Sequence, residues 1–98
     1  MGLEGHFEVL SDHEIERELK SMPDWARDGL AIAKLYHFES FLEAIAFVNR
    51  VAAVATELDH HPDIMVSYDE VRVRIWTHKK NAVTRADFVL AKGIDDVR

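Results

Sequence analysis

Two short strings carry the chemistry of this chain: Glu57-Leu58-Asp59-His60-His61-Pro62, and Thr77-His78 at the end of an alternating apolar run. Histidine is the side chain whose charge changes nearest neutral pH, so imidazoles held together suit general acid–base catalysis. His60 and His61 fall just past a long helical pattern, and His78 falls at the far end of a strand pattern. Functional groups gather at such element ends, on a rigid scaffold. The C-terminal end of a helix favours an imidazolium, while a neighbouring imidazole opposes a second charge. Pro62 stiffens the backbone after the pair and so helps fix where its rings point. Only tertiary structure can bring His78 to them.

Each of these residues also has a plainer reading. Adjacent histidines in an exposed loop are often solvated and idle, and His78 alone would pass for a strand-end surface residue. Asp87 is the third residue after a possible Thr84 N-cap, where an acid stabilises a helix start without any catalytic purpose. Glu57 would serve as a solvated helix residue and Trp76 as packing. Three histidines can ligate zinc with an open fourth position. Adjacent imidazoles rarely converge on one ion, however, unlike the i, i+4 pair of a metalloprotease helix, so no metal site is expected. Ser11, Ser21, Ser40 and Ser67 lie in no nucleophile-elbow pattern. The chain has no cysteine, which excludes thiol nucleophiles and disulfides and fits a reducing compartment.

Twelve basic residues against 18 acidic ones give a net charge of −6. The only tight basic group is Arg72, Arg74, Lys79 and Lys80, too small a patch for the phosphate neutralisation that drives nucleic-acid binding, so no direct nucleic-acid partner is expected. No apolar run approaches a membrane span, and the N-terminus lacks a basic segment followed by an apolar one. Met1-Gly2 opens like a myristoylation signal, but His6 stands where Ser or Thr is required. The expectation is a cytoplasmic protein with no membrane association.

The elements that must position the histidines follow from capping and periodicity. Ser11-Asp12-His13-Glu14 has capping-box spacing and opens a helix running to about Ser21, before Pro23. Asp28-Gly29 predicts a hairpin turn. On its second strand Leu30, Ile32, Tyr36 and Phe38 share a face, with Lys34 the exception. Ser40-Phe41-Leu42-Glu43 is a second capping box and starts the longest helix. Phe41, Ile45, Val48, Ala52 and Ala55 form one stripe on it, and Phe47, Val51, Val54 and Leu58 another. One buried stripe needs only about 100° of helix surface. Two stripes imply a helix wrapped by its own domain or packed on another subunit, and so short a chain favours the second. Asp59 to Ile64 should form a loop, followed by a second hairpin, Met65–Tyr68 and Val71–Thr77, turning at Asp69-Glu70. Val71, Val73, Ile75 and Thr77 lie on one face of the last strand, and Arg72, Arg74, Trp76 and His78 on the other. Thr84-Arg85-Ala86-Asp87 opens a final helix. With 98 residues, 48% apolar and 31% charged, the chain makes one domain, 1–98. The fold class is α+β: order α-β-β-α-β-β-α, a four-stranded antiparallel sheet with three helices on one face.

The string Glu57-Leu58-Asp59-His60-His61-Pro62, then Tyr68-x-x-Val71, Thr77-His78 and Asp87, resembles the pterin-4a-carbinolamine dehydratase family. Ala46-Phe47 and Arg50-Val51-Ala52 resemble its central helix and Trp25 a tryptophan near its first strand, so the likeness runs from about Leu10 to Val97. The resemblance implies dimers or tetramers joined through sheet edges and long helices. It also implies dehydration of 4a-hydroxytetrahydropterin to the quinonoid dihydropterin in tetrahydropterin recycling, with no metal or organic cofactor. By position, His60, His61 and His78 would surround the C4a hydroxyl, with His61 and His78 moving protons, His60 orienting the substrate and Asp87 orienting a histidine. Asp59, Glu57, Pro62, Trp76, Thr77 and Lys79 match segments around the pterin pocket. Some animal relatives also serve as dimerisation cofactors of a transcription factor, so a non-enzymatic interaction module is the alternative. The chain departs from the family where Ala82-Val83-Thr84 replaces a Gly-Leu-Thr or Gly-Leu-Ser, at Trp76, and at Ile64.

Overall fold

The computed structural model describes residues 2–98, so the Met1-Gly2 signal begins outside the described residues. Helix α1 (Asp12–Lys20) starts where its capping box requires: the Glu14 N–H donates to Ser11 Oγ at 3.1 Å and the Ser11 N–H to Glu14 Oε1 at 2.8 Å. Strands β1 (Ala26–Asp28) and β2 (Ala31–His37) form the first hairpin. Asp28 pairs with Ala31, so the two turn residues are Gly29 and Leu30, one position later than Asp28-Gly29. Gly29 alone takes the positive φ there, +61°, the conformation that costs glycine least.

Helix α2 (Phe41–Leu58) is capped by Ser40, whose Oγ accepts from the Glu43 N–H at 3.1 Å. The expected box is only half made, because the Glu43 carboxylate accepts from the Glu39 N–H instead. Of the two stripes, Phe47 and Val51 with Ala44 and Ala55 are buried, while Phe41 and Ala52 are exposed. Strands β3 (Asp63–Ser67) and β4 (Glu70–Ile75) follow. The strand starts at Asp63, which shortens the expected loop. Ser67 pairs with Glu70, so the turn is Tyr68-Asp69, with Tyr68 in the left-handed region at φ 54°. Helix α3 (Arg85–Asp96) completes the chain.

The sheet order is β1-β2-β4-β3, antiparallel throughout. Val71, Val73 and Ile75 of β4 are fully buried, as their alternation requires, beside Ile32 and Tyr36 of β2. With Phe47 and Val51 of α2 and Leu90 and Ile94 of α3 they form one core, removing the large apolar surface that dominates stability. Gly93 lets α3 approach α2 closely, for a Cβ there would lie 3.0 Å from Val54 Cγ1. Lys34, the polar residue on the inner face of β2, has a partner: its Nζ lies 2.8 Å from Asp95 Oδ1. Asp95 also accepts from the Trp25 indole N–H at 3.0 Å and from the Tyr36 hydroxyl. Burial pushes the Asp95 carboxyl up, but the bonds from Lys34, Tyr36 and Trp25 outweigh it and hold the group below its ordinary range. The same site raises Tyr36, through burial first and then its bond to Asp95.

Candidate active site

Helix α2 ends at Asp59, which takes left-handed geometry at φ 54°, and the His60 N–H reaches back to the Ala55 carbonyl at 3.1 Å. This αL ending satisfies helix carbonyls and reverses the chain. As a result His60 is buried while His61 is exposed. Beyond β4, Thr77 pairs with Ala82 in an isolated bridge, and a single 3-10 turn (His78–Lys80) fills the space between them. His78 therefore opens that turn rather than ending a strand. Asn81 supplies the reversal at φ 49°, a conformation Asn tolerates well, so the missing glycine leaves the start of α3 intact.

The two segments converge on a cleft of about 520 Å³ lined by Phe7, Asp59, His60, His61, Trp76, Thr77, His78, Lys79 and Lys80. All three imidazoles face it. Glu57 and Pro62 do not line it, and Asp87 stands behind it, fully buried. His60 Nε2 lies 2.6 Å from Asp87 Oδ1. Oδ2 of the same carboxylate accepts from the Thr84 N–H at 2.8 Å and from the Thr77 hydroxyl at 3.0 Å, and the two threonine hydroxyls meet at 2.7 Å. An ionised carboxylate only accepts, so the proton of neutral His60 sits on Nε2, leaving Nδ1 an acceptor. Nδ1 has no partner among the described residues, and no sealed side-chain nitrogen or oxygen there lacks one. That nitrogen is therefore accessible to solvent, on a ring that lines the cleft.

Phe7 packs its ring edge-on to His60 at 5.7 Å, and Trp76 stacks on His78 at 4.1 Å with planes 28° apart. The Arg74 guanidinium lies 4.9 Å from the Trp76 ring centre. Trp76 thus lines the cleft with the His78 ring resting on its face. Phe7, Lys80 and Thr84 are not among the site residues the sequence predicts. Thr84 had shown itself only as a cap, and Phe7 reaches the site through the backbone bond from the Ala86 N–H to the His6 carbonyl, which no local pattern announces. Among the described residues no group of three or more His, Asp or Glu is arranged to hold a metal ion, and no helix is long and apolar enough to cross a membrane.

The fold and this cleft can be set beside known proteins. The family model described as pterin 4 alpha carbinolamine dehydratase matches residues 8–97. A relative from Thermomicrobium roseum that carries the pterin-4-alpha-carbinolamine dehydratase name is 41% identical over 88 residues, 90% of this chain and 95% of its own. One of the same name from Sulfolobus acidocaldarius is 36% identical over 91% of this chain and 98% of its own. A crystal structure described as a transcriptional coactivator/pterin dehydratase from Brucella melitensis superposes with a TM-score of 0.87 at 29% identity, covering 92% of this chain and 98% of that one. A pterin dehydratase-like protein described as a RuBisCO assembly factor in the alpha-carboxysome shares the fold, with a TM-score of 0.62 over 74% of this chain and 84% of that one, at 20% identity. The chain belongs to the pterin-4-alpha-carbinolamine dehydratase family, a family of hydro-lyases.

Proposed function

We propose that this chain dehydrates a 4a-hydroxytetrahydropterin to the quinonoid dihydropterin by histidine acid–base catalysis, and so takes part in tetrahydropterin recycling. The reaction removes the proton from the ring nitrogen bonded to C4a and delivers one to the C4a hydroxyl. The C–O bond breaks, water leaves, and the nitrogen–C4a double bond forms. One proton is taken and one given, so the enzyme returns to its starting state. The observation that carries the reading is the facing of His60, His61 and His78, from two separate segments, into one cleft. His61 and His78, the exposed pair, exchange the protons. His60, fixed by Asp87, orients the substrate through Nδ1, while Asp59, Thr77, Trp76 and Lys79 border the ring.

The test is stopped-flow absorbance with chemically prepared 4a-hydroxytetrahydropterin. Protein at micromolar concentration should accelerate dehydration well beyond buffer, and no acceleration would remove the claim. The chain is also proposed to act as a homodimer or homotetramer. Leu35 and Met65 flank Arg72 across the outer face of the sheet, and with Phe41, Leu42 and Tyr68 they leave large apolar surface exposed. The same surface favours, as a second reading, an interaction module without catalysis, in line with the coactivator description of the Brucella melitensis protein. Retained activity of wild type and loss in His78→Ala would decide for the enzyme.

A further inference from the structure

The cationic groups near the sheet's outer face are not all alike. Arg72 and Arg74 of β4 are both neutralised by Asp28, at 2.6 and 2.9 Å. Lys79 and Lys80, a few residues further on, are exposed and form no ion pair among the described residues. Both line the cleft, where the only lining carboxylate among the described residues is Asp59 on the opposite segment. Their backbone is held rather than loose, since the Lys80 N–H donates to the Thr77 carbonyl at 3.0 Å and the Asn81 N–H to that of His78 at 3.2 Å. In a chain of net charge −6, two unpaired ammonium groups at the rim of a histidine cleft make a local field opposite to the general one. Such a field draws and retains anions.

The shape of the ligand gives that field a use. The cleft volume of about 520 Å³ falls within the roughly 300–1,000 Å³ that accommodates drug-sized ligands, so a bicyclic head leaves room for a side chain. A pterin carries N–H donors on its pyrimidine edge, suited to the Asp59 carboxylate. Its side chain leaves from the opposite ring, past the C4a centre that the imidazoles must reach. Resting on the dehydratase reading, we infer that the preferred substrate is a reduced pterin whose side chain bears an anionic group, phosphate or carboxylate, held by Lys79 and Lys80.

Three 4a-hydroxytetrahydropterins test this in stopped-flow: one with a neutral polyol side chain, one with that chain phosphorylated, one with a glutamate-bearing chain. At low ionic strength kcat/KM for an anionic substrate should exceed that for the neutral one about tenfold, equivalent to about 1.4 kcal/mol. Which anion gains more identifies the source. Salt should erode the ratio, Lys79→Gln/Lys80→Gln should bring it near one, and Lys80→Glu should lower it further. Equal kcat/KM for all three substrates in wild type, or a ratio that survives in the double glutamine variant, would overturn the inference. Quenching of Trp fluorescence by the stable 7,8-dihydropterins with the same three side chains reads the preference without turnover. Preferential anion binding with no turnover would sink the dehydratase reading alone, and absence of any binding preference would sink the inference alone.

Discussion

Replacing Asp87 separates its two duties. In Asp87→Ala the His60 Nε2–H and the Thr84 N–H both lose their acceptor inside the protein. Each buried donor left unpaired costs about 1–3 kcal/mol, and the count of two is a minimum, because only one of the two threonine hydroxyls can donate to the other once Oδ2 is gone. The sum, about 2–6 kcal/mol, is a large part of the roughly 5–15 kcal/mol that holds an ordinary domain together, so this variant should be close to unfolding. Asp87→Asn is different. Its amide oxygen can take the place of Oδ2 and keep the Thr84 N–H, while its NH2 group faces His60 Nε2. The ring must then accept at Nε2 and carry its proton on Nδ1, the solvent-accessible nitrogen, which turns from acceptor to donor. An orienting hydrogen bond replaced by a donor facing a donor costs about 1–3 kcal/mol. We therefore expect turnover to fall about tenfold to a hundredfold, roughly 1.4–2.7 kcal/mol of barrier, with a melting temperature within a few degrees of wild type. Stopped-flow gives the rate, and 15N NMR of the His60 ring gives the tautomer independently. A switched tautomer with full turnover would refute the role of His60, and an unswitched tautomer would refute the hydrogen-bond logic itself.

Further outcomes are expected elsewhere. His61→Ala and His78→Ala should each lower kcat by about 10²-fold or more with unchanged circular dichroism and assembly, and full activity in both would reject their proton-transfer roles. Asp95 has its carboxyl held below the ordinary value in the fold, so its contribution is present above the unfolded pKa and is lost as pH falls through the folded one. Asp95→Asn should therefore destabilise at pH 7, by about 1–3 kcal/mol, and flatten the acid limb of a melting-temperature profile. An unaltered acid limb would contradict the assignment. The hairpin turns should respond in opposite directions. Gly29→Ala meets only an ordinary contact, 3.5 Å from Arg74 Nη2, yet must hold φ +61°, costing about 1–2 kcal/mol. Tyr68→Gly relieves a left-handed residue that is 70% exposed and should be neutral or stabilising. Denaturant midpoints check both.

Element order and faces were legible because they rest on local rules. The alternation from Val71 to Thr77 buries every second residue, and Ser11, Ser40 and Thr84 begin the helices they flank. The turns were less so. Asp28-Gly29 reads locally as the loop pair, whereas strand register makes Asp28 the last paired residue and hands the turn to Gly29-Leu30. No glycine marked the second turn, because Tyr68 accepts the positive φ itself. Lys34 looked like an error in its strand until Asp95, far along the chain, supplied a buried counter-charge. Such pairings depend on helix α3 crossing β2, which no window of sequence contains.

The instructive case is Asp87. At the level of sequence it stood between two rivals, a helix cap and a partner for a histidine, and nothing local could choose. The geometry shows that the choice was false, since Oδ2 accepts from the Thr84 backbone while Oδ1 holds His60. A carboxylate has acceptor capacity on both oxygens, so one residue can cap the start of a helix and orient a ring together. The first turn of α3 is thereby tied mechanically to an imidazole that lines the cleft. Substitutions that fray that turn without touching any histidine, such as Thr84→Pro, which removes the N–H that Oδ2 receives, should therefore loosen His60 as well as the helix. Broadened His60 ring resonances in such a variant, alongside sharp ones for exposed His61, would register that link, and an undisturbed His60 would break it.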